Sequence, residues 1–191
     1  MKYLFLLCIL SFHAFYSFGQ IKLPISSAFR SDIQELVKDY PGGFTQTKGE
    51  ERAKNPQTIE YVSLISPEGV SDAYVMQYSA LGKSIYSWHG VLLETEDFEE
   101  ASKKYKWLFT QLKGMNVTYV ADQYTLEGKF EAPDESIGFA ISTLTLANPP
   151  SPLKKMKIEV SLNFEFPEWK VGLSIFEKER EDDERGNPIE Q

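Results

Sequence analysis

The sequence predicts an α+β fold in which two helices pack on one face of a curved antiparallel β-sheet of about seven strands. Three observations lead to this fold class. Two segments place apolar residues at helical spacing, the last third of the chain alternates apolar and polar residues, and Gly and Pro clusters separate these segments. Strict alternation is typical of antiparallel strands that have one buried face and one solvated face.

The first helix is indicated by apolar residues that would form a single stripe along it. These residues are Phe29, Ile33, Leu36, Val37 and Tyr40. Ser26 or Ser27 caps the start of this helix, because a serine hydroxyl can accept from the free backbone N–H groups there. A Pro-Gly-Gly run at residues 41–43 ends it. The polar and charged segment that follows, residues 45–57, is predicted to be a loop.

Three strands are predicted next, over residues 58–65, 73–78 and 84–94. Each of these segments is rich in β-branched and aromatic residues, which are typical of strands. Turns are expected between them, at residues 67–69 and 82–83, where Pro and Gly interrupt the pattern.

The second helix is predicted over residues 97–112. Asp97 caps its start, and Glu100 stands where a capping box requires an acidic residue. Gly114 ends the helix. Its buried stripe consists of Phe98, Ala101, Tyr105, Leu108 and Leu112. Trp107 lies close to the side of the helix opposite this stripe.

The last third of the chain is predicted to be sheet. Strands are expected over residues 124–131 and 139–146, and a proline-rich connector follows at residues 148–152. The strongest alternation in the chain runs over residues 156–166 and returns over residues 169–175. The order of elements, a helix and then a meander in each half, is compatible with a degenerate repeat, although no residues match between the halves.

Residues 1–19 have the order of a cleavable secretory signal peptide. Lys2 gives a positive start, residues 4–18 form an apolar run, and the small residue Gly19 ends the segment. A membrane anchor, the alternative, would need roughly 20 predominantly apolar residues. We therefore expect an exported protein, secreted or periplasmic, with no stable membrane insertion after cleavage.

This interpretation divides the chain into three parts. The leader is followed by a single α+β domain over residues 20–176, a length that suits one hydrophobic core. Residues 177–191 form a charged tail with few apolar side chains, for which we expect disorder or a solvated helix stub.

Composition narrows the chemistry that is open to the domain. The formal net charge of −8 argues against binding to nucleic acid, which requires clustered Lys and Arg. The single cysteine, Cys8, leaves with the leader, and His89 is then the only histidine. Disulfides, thiol catalysis and paired-histidine metal sites are thereby excluded from the exported domain. We predict no cofactor, no metal and no catalytic residue.

An acidic cluster offers an alternative that involves catalysis. Glu94, Glu96, Asp97, Glu99 and Glu100 surround the start of the second helix. Two such carboxylates in one groove could hydrolyse glycans or cell-envelope polymers as general acid and base. The simpler explanation is that negative charge near a helix N-terminus is stabilised by the helix dipole.

Aromatic residues provide the candidates for a binding site. Trp107 either lies beneath the loop at residues 45–57 or marks a contact with a partner. Tyr86 and Trp88 share one face of the third strand, and the second strand carries Tyr74 and Tyr78 on one face. One register between the second and third strands would bring all four aromatic side chains together in a patch. A slip of one residue separates them and places His89 beside Tyr74.

The residues that we single out for binding a ligand or partner are Trp107, Tyr86, Trp88 and His89. The scarcity of catalytic residue types favours a non-enzymatic binding or interaction domain. Its expected partner is an unknown protein or small ligand in the cell envelope. The carboxylate-based hydrolase and a structural or inhibitor-like domain remain the alternatives.

Overall fold

The computed structural model describes residues 26–80 and 83–177, except for the side chains of residues 79, 80 and 83. The predicted leader and the predicted tail beyond Glu177 lie outside these residues. Within them the fold is α+β, as predicted, with one large antiparallel sheet and two α-helices. No helix in the described ranges is long and apolar enough to cross a membrane.

Across residues 26–80 and 83–177 the sheet has nine strands, in the order β1-β2-β3-β4-β9-β8-β7-β6-β5. The helices are α1 Ser27–Asp39 and α2 Phe98–Leu112. The strands are β1 Lys48–Lys54, β2 Thr58–Ser63, β3 Asp72–Ala80, β4 Lys83–Thr95, β5 Asn116–Tyr119, β6 Asp122–Gly128, β7 Phe139–Leu146, β8 Met156–Glu165 and β9 Glu168–Glu177. Each half of the chain contributes a helix and a meander, and the pairing of β4 with β9 joins the two halves into one sheet.

Two strands exceed the predicted number of about seven. The segment predicted as a loop, residues 45–57, contains β1, an edge strand whose last five residues are all exposed. An edge strand whose side chains are exposed on both faces needs no alternation of apolar and polar residues. Its sequence therefore resembles that of a charged loop. The other additional strand, β5, has only four residues and forms the opposite edge of the sheet.

The predicted starts of both helices are confirmed, with one correction. The Ser26 hydroxyl accepts from Phe29 N at 3.0 Å, and the Asp97 carboxylate accepts from the N–H groups of Glu99 and Glu100. The predicted capping box is wrong in one of its two hydrogen bonds. The backbone N–H of Asp97 donates to Thr95 Oγ1 and not to the Glu100 carboxylate. The Thr95 hydroxyl in turn donates to the Glu100 carboxylate at 2.8 Å.

The hydrophobic core lies between the helices and one face of the sheet. The predicted stripes of α1 and α2 belong to a single buried cluster with the alternating residues of β8 and β9. Cross-strand pairing places Trp88, Ile175, Ile158 and Leu144 on this same face. The other face of the sheet, which we call the open face, is not covered by either helix and carries mostly polar side chains.

Candidate functional site

A row of side chains crosses the centre of the open face. Strand register places Tyr74 of β3 opposite His89 of β4, and His89 opposite Ser174 of β9. The row continues to Glu159 of β8 and Thr143 of β7. Directly opposed residues on antiparallel strands have Cβ atoms about 4.5–5.5 Å apart, so neighbouring side chains along this row are in contact range.

The imidazole of His89 is held by two hydroxyls. Its Nε2 lies 2.7 Å from Ser87 Oγ, and its Nδ1 lies 2.8 Å from Ser174 Oγ. Burial lowers the pKa of His89 to about 4, although the nearby Glu60 charge acts in the opposite direction. The ring is therefore neutral at neutral pH, so one nitrogen donates to a serine and the other accepts.

Tyr74 fixes the plane of the imidazole from the neighbouring strand. The two rings are stacked with their centroids 5.0 Å apart and an interplanar angle of 22°. The Arg52 guanidinium carbon lies 4.4 Å from the Tyr74 centroid, in cation–π contact. Arg52 is itself held by the carboxylates of Asp72, at 2.7 Å, and Glu60, at 3.1 Å.

Two adjoining depressions lie on the open face, with volumes of about 510 and 290 Å³. Both are lined by His89, Ser174 and Glu159. The larger depression adds apolar walls, which come from Tyr78, Ile85 and Phe176. The smaller depression adds polar walls, which include Ser161, Asn163 and Lys170. The row through His89 thus separates an apolar compartment from a polar one.

Glu159 stands out among the groups that line both depressions. Its side chain is half-buried, and burial raises the pKa of its carboxyl group. It makes no hydrogen bond or ion pair with any residue that the structure describes. The nearby cation Lys170 is instead engaged by Glu165 at 2.9 Å and Glu94 at 3.2 Å.

A glycine keeps the smaller depression open. A Cβ atom at Gly172 would lie 2.8 Å from Ser161 Oγ, closer than such contacts occur in proteins. The missing side chain leaves the space beside Ser174 free.

The register of β3 and β4 decides between the two aromatic arrangements. Tyr74 pairs with His89 and Val75 pairs with Trp88, which is the slipped alternative. Tyr74 and Tyr78 therefore face the open side, while Tyr86 and Trp88 belong to the helix-facing side. The four aromatics do not form one patch.

The predicted site residues separate accordingly. Trp88 is fully buried and donates its indole N–H to Ser63 Oγ at 2.9 Å, so it is a core residue. Tyr86 is half-buried beside Gly43 and lines the larger depression, as His89 does. It also lines a third depression of about 450 Å³, next to the ion pair of Lys155 with Glu177.

Trp107 lies on α2, away from the open face. It is half-buried and packs against the hydrophobic core. The Lys104 ammonium lies 4.7 Å from its ring centroid. Trp107 therefore has packing contacts and a cation–π contact with Lys104. It does not belong to the row of side chains through His89.

Four of the five acidic residues around the start of α2 are engaged in structural contacts. Glu94 pairs with Lys170, and Glu99 pairs with Lys103 at 2.7 Å. Asp97 caps the helix, and Glu100 accepts from Thr95. These are the contacts expected of negative charge at a helix N-terminus. The described residues contain no group of three or more His, Cys, Asp or Glu side chains arranged to hold a metal.

Sequence reasoning identified His89 but missed the groups that β8 and β9 bring to it. The alternation predicts Glu159 and Ser161 on the solvated face of their strand, and no further signal in the sequence distinguishes them. Ser174, which contacts His89 from a position 85 residues away in the chain, becomes a neighbour only through the pairing of β4 with β9. Register of this kind is not readable from residue types.

No protein-family model matches the chain, and neither a curated protein nor a solved structure is significantly similar to it. The side chains of the open face are therefore the basis on which its function can be inferred.

Proposed function

We propose that this protein is an exported, non-enzymatic binding domain that holds a small ligand on the open face of its sheet. The supporting observation is the pair of adjoining depressions that share His89, Ser174 and Glu159. Ligand sites are typically concave, with apolar walls and a few convergent polar groups.

The polar groups of this site are pre-organised for binding. Both nitrogens of His89 have hydroxyl partners, and the ring is stacked on Tyr74, so its orientation is fixed before any ligand arrives. A fixed site loses little conformational freedom when it binds. The hydroxyl of Ser174, which lines both depressions, is positioned to exchange hydrogen bonds with a ligand.

The backbone around His89 favours binding over hydrolysis. Hydrolysis by a nucleophilic serine also requires hydrogen-bond donors positioned to stabilise the oxyanion that develops in the reaction. These donors are often free backbone N–H groups. Here β4 pairs with β3 and β9, and β9 pairs with β4 and β8. Strands paired on both sides use their N–H groups in the ladder. The arrangement of Ser174 with His89 resembles a nucleophile and its base, but it lacks these donors along the paired strands.

The location of this activity follows from the predicted leader. We propose that the domain works outside the cytoplasm, either secreted or in the periplasm, on a partner present in the envelope. The order of charged, apolar and small residues within residues 1–19 supports export. The absence of any cysteine after residue 8 suits a domain that is stable without disulfides.

The experiment that tests the binding proposal is a fragment screen by NMR on the whole chain. The imidazole signals of His89, assigned by comparison with His89→Gln, report on occupancy of the open face. We expect some fragments to shift these signals in wild-type protein. Binding should weaken in Gly172→Ala, whose new methyl group enters the smaller depression beside Ser161.

The matched control is Val120→Ala, at a residue that is 88% exposed and lines neither depression. Thermal melting establishes that both variants fold. Fragments that bind without moving the His89 signals, or that bind Gly172→Ala and wild type equally, would count against a site on the open face.

A further inference from the structure

We infer that the ligand is a small organic cation, an ammonium group on an apolar body, with its charge placed beside Glu159. This inference rests on the proposed binding function and adds to it the chemical class of the ligand. It depends on three features of the larger depression, stated of the described residues: a carboxylate without a partner, a lining with no lysine or arginine, and apolar walls.

The carboxylate of Glu159 has no partner among the described residues. Lys157, two residues away on the same face of β8, is not free, and other cations of the described residues are engaged elsewhere. Lys170 is held by two other carboxylates, and Lys155 pairs with Glu177 at 3.0 Å. Arg52 is occupied by Asp72 and Glu60. A half-buried carboxylate gains a strong charge-assisted hydrogen bond when a ligand ammonium approaches it.

The lining of the larger depression selects against anions. Among the described residues that line it, Glu159 and Glu177 are acidic, and none is a lysine or arginine. His89 is neutral at neutral pH because burial lowers its pKa to about 4. An anionic ligand would meet the carboxylate of Glu159 with no lysine or arginine in the described lining to offset it, which is unfavourable.

The apolar walls indicate that the ligand has an apolar body in addition to its ammonium group. Tyr78, Ile85 and Phe176 surround a volume of about 510 Å³, far larger than an ammonium group occupies. Tyr78 is 38% exposed, so its ring is available to a ligand. An apolar body fills this space, and the aromatic walls attract a nearby cation through their ring quadrupoles. Ser174 provides a further acceptor for ammonium N–H groups.

The test compares tryptamine with tryptophol, which replaces the ammonium by a hydroxyl on the same aromatic body. Both are titrated into the whole chain at neutral pH, and the His89 imidazole signals are followed by NMR. We expect tryptamine to bind about tenfold more tightly than tryptophol. In Glu159→Gln the two compounds should bind with similar, weaker affinity.

The matched control is Glu127→Gln, which removes a carboxylate from β6 outside both depressions. This variant should keep the preference for tryptamine, because distant exposed charges are screened by salt. Equal affinity of the two compounds for wild type would contradict the proposal that the ligand is a cation. The binding function would still be supported, because tryptophol would bind as well. Failure of tryptamine to shift the His89 signals would overturn the cation as well, while the fragment screen tests the binding function independently.

Discussion

Gln34 of α1 forms hydrogen bonds with both backbone polar groups of Thr118 in β5. The N–H of Thr118 donates to Gln34 Oε1 at 2.7 Å, and Gln34 Nε2 donates to the carbonyl oxygen of Thr118. Because β5 is the edge strand of the sheet in the described part of the chain, no further strand pairs with it on the side of these groups. The carboxamide takes the place of that strand and ties α1 to the edge.

Gln34→Ala should therefore destabilise the fold. The substitution leaves an N–H group and a carbonyl of β5 without their partner in a partly buried place, which costs about 1–3 kcal/mol. Urea unfolding measures this loss. The control is Gln57→Ala, at an exposed glutamine, where we expect almost no change. A loss for Gln34→Ala as small as that of the control would show that water replaces the carboxamide at no cost.

Acid should weaken the fold through His89. Its pKa is about 4 in the folded protein, against an ordinary histidine value of 6.5 in the unfolded chain, so the unfolded chain binds more protons between these values. Stability is then complete above pH 6.5 and falls as the pH drops towards 4, by about 3 kcal/mol. Glu159 opposes this trend, since burial raises its pKa and protonation relieves the buried charge.

Unfolding free energies of wild type and His89→Gln, compared between about pH 7.5 and about pH 4, measure the effect. The variant has no imidazole at this position, so its stability should fall less steeply with acid than that of wild type. Parallel curves for the two proteins would mean that other groups cause the acid sensitivity.

Trp88 should contribute more to the stability of the fold than Trp107 does. Trp88→Phe removes the indole N–H that bonds to Ser63 and leaves unfilled space in the core, for a cost of about 1–3 kcal/mol. The control is Trp107→Phe, at a half-buried tryptophan, with a smaller expected loss. Urea unfolding ranks the two variants. Comparable losses would contradict the assignment of Trp88 as the core anchor of the pair.

The sequence indicated those elements whose local pattern agrees with their burial. The stripe of α1 and the alternation from Met156 to Ile175 both follow from one face that packs and one that does not. β1 was not predicted because the side chains of an exposed edge strand do not alternate between a buried face and a solvated face. The pairing of His89 with Ser174 was not predicted because register depends on packing across strands that are distant in the chain.

A buried hydroxyl on the helix-facing side should be as important to the fold as the core side chains around it. Ser142 Oγ accepts from Glu131 N at 2.9 Å and lies 2.6 Å from Tyr105 Oη of α2. The Tyr105 hydroxyl also donates to the Glu131 carbonyl at 3.2 Å. These three contacts join α2, β7 and the chain between β6 and β7 into one polar network inside the protein.

Ser142→Ala leaves Glu131 N without its partner and should cost about 1–3 kcal/mol. Tyr105→Phe removes the other hydroxyl, and the double variant completes a thermodynamic cycle. Because the two groups share one network, the double variant should lose less stability than the sum of the single variants, by about 0.5–3 kcal/mol. Additive losses in urea unfolding would mean that the two hydroxyls act independently, with water in the place of their mutual hydrogen bond.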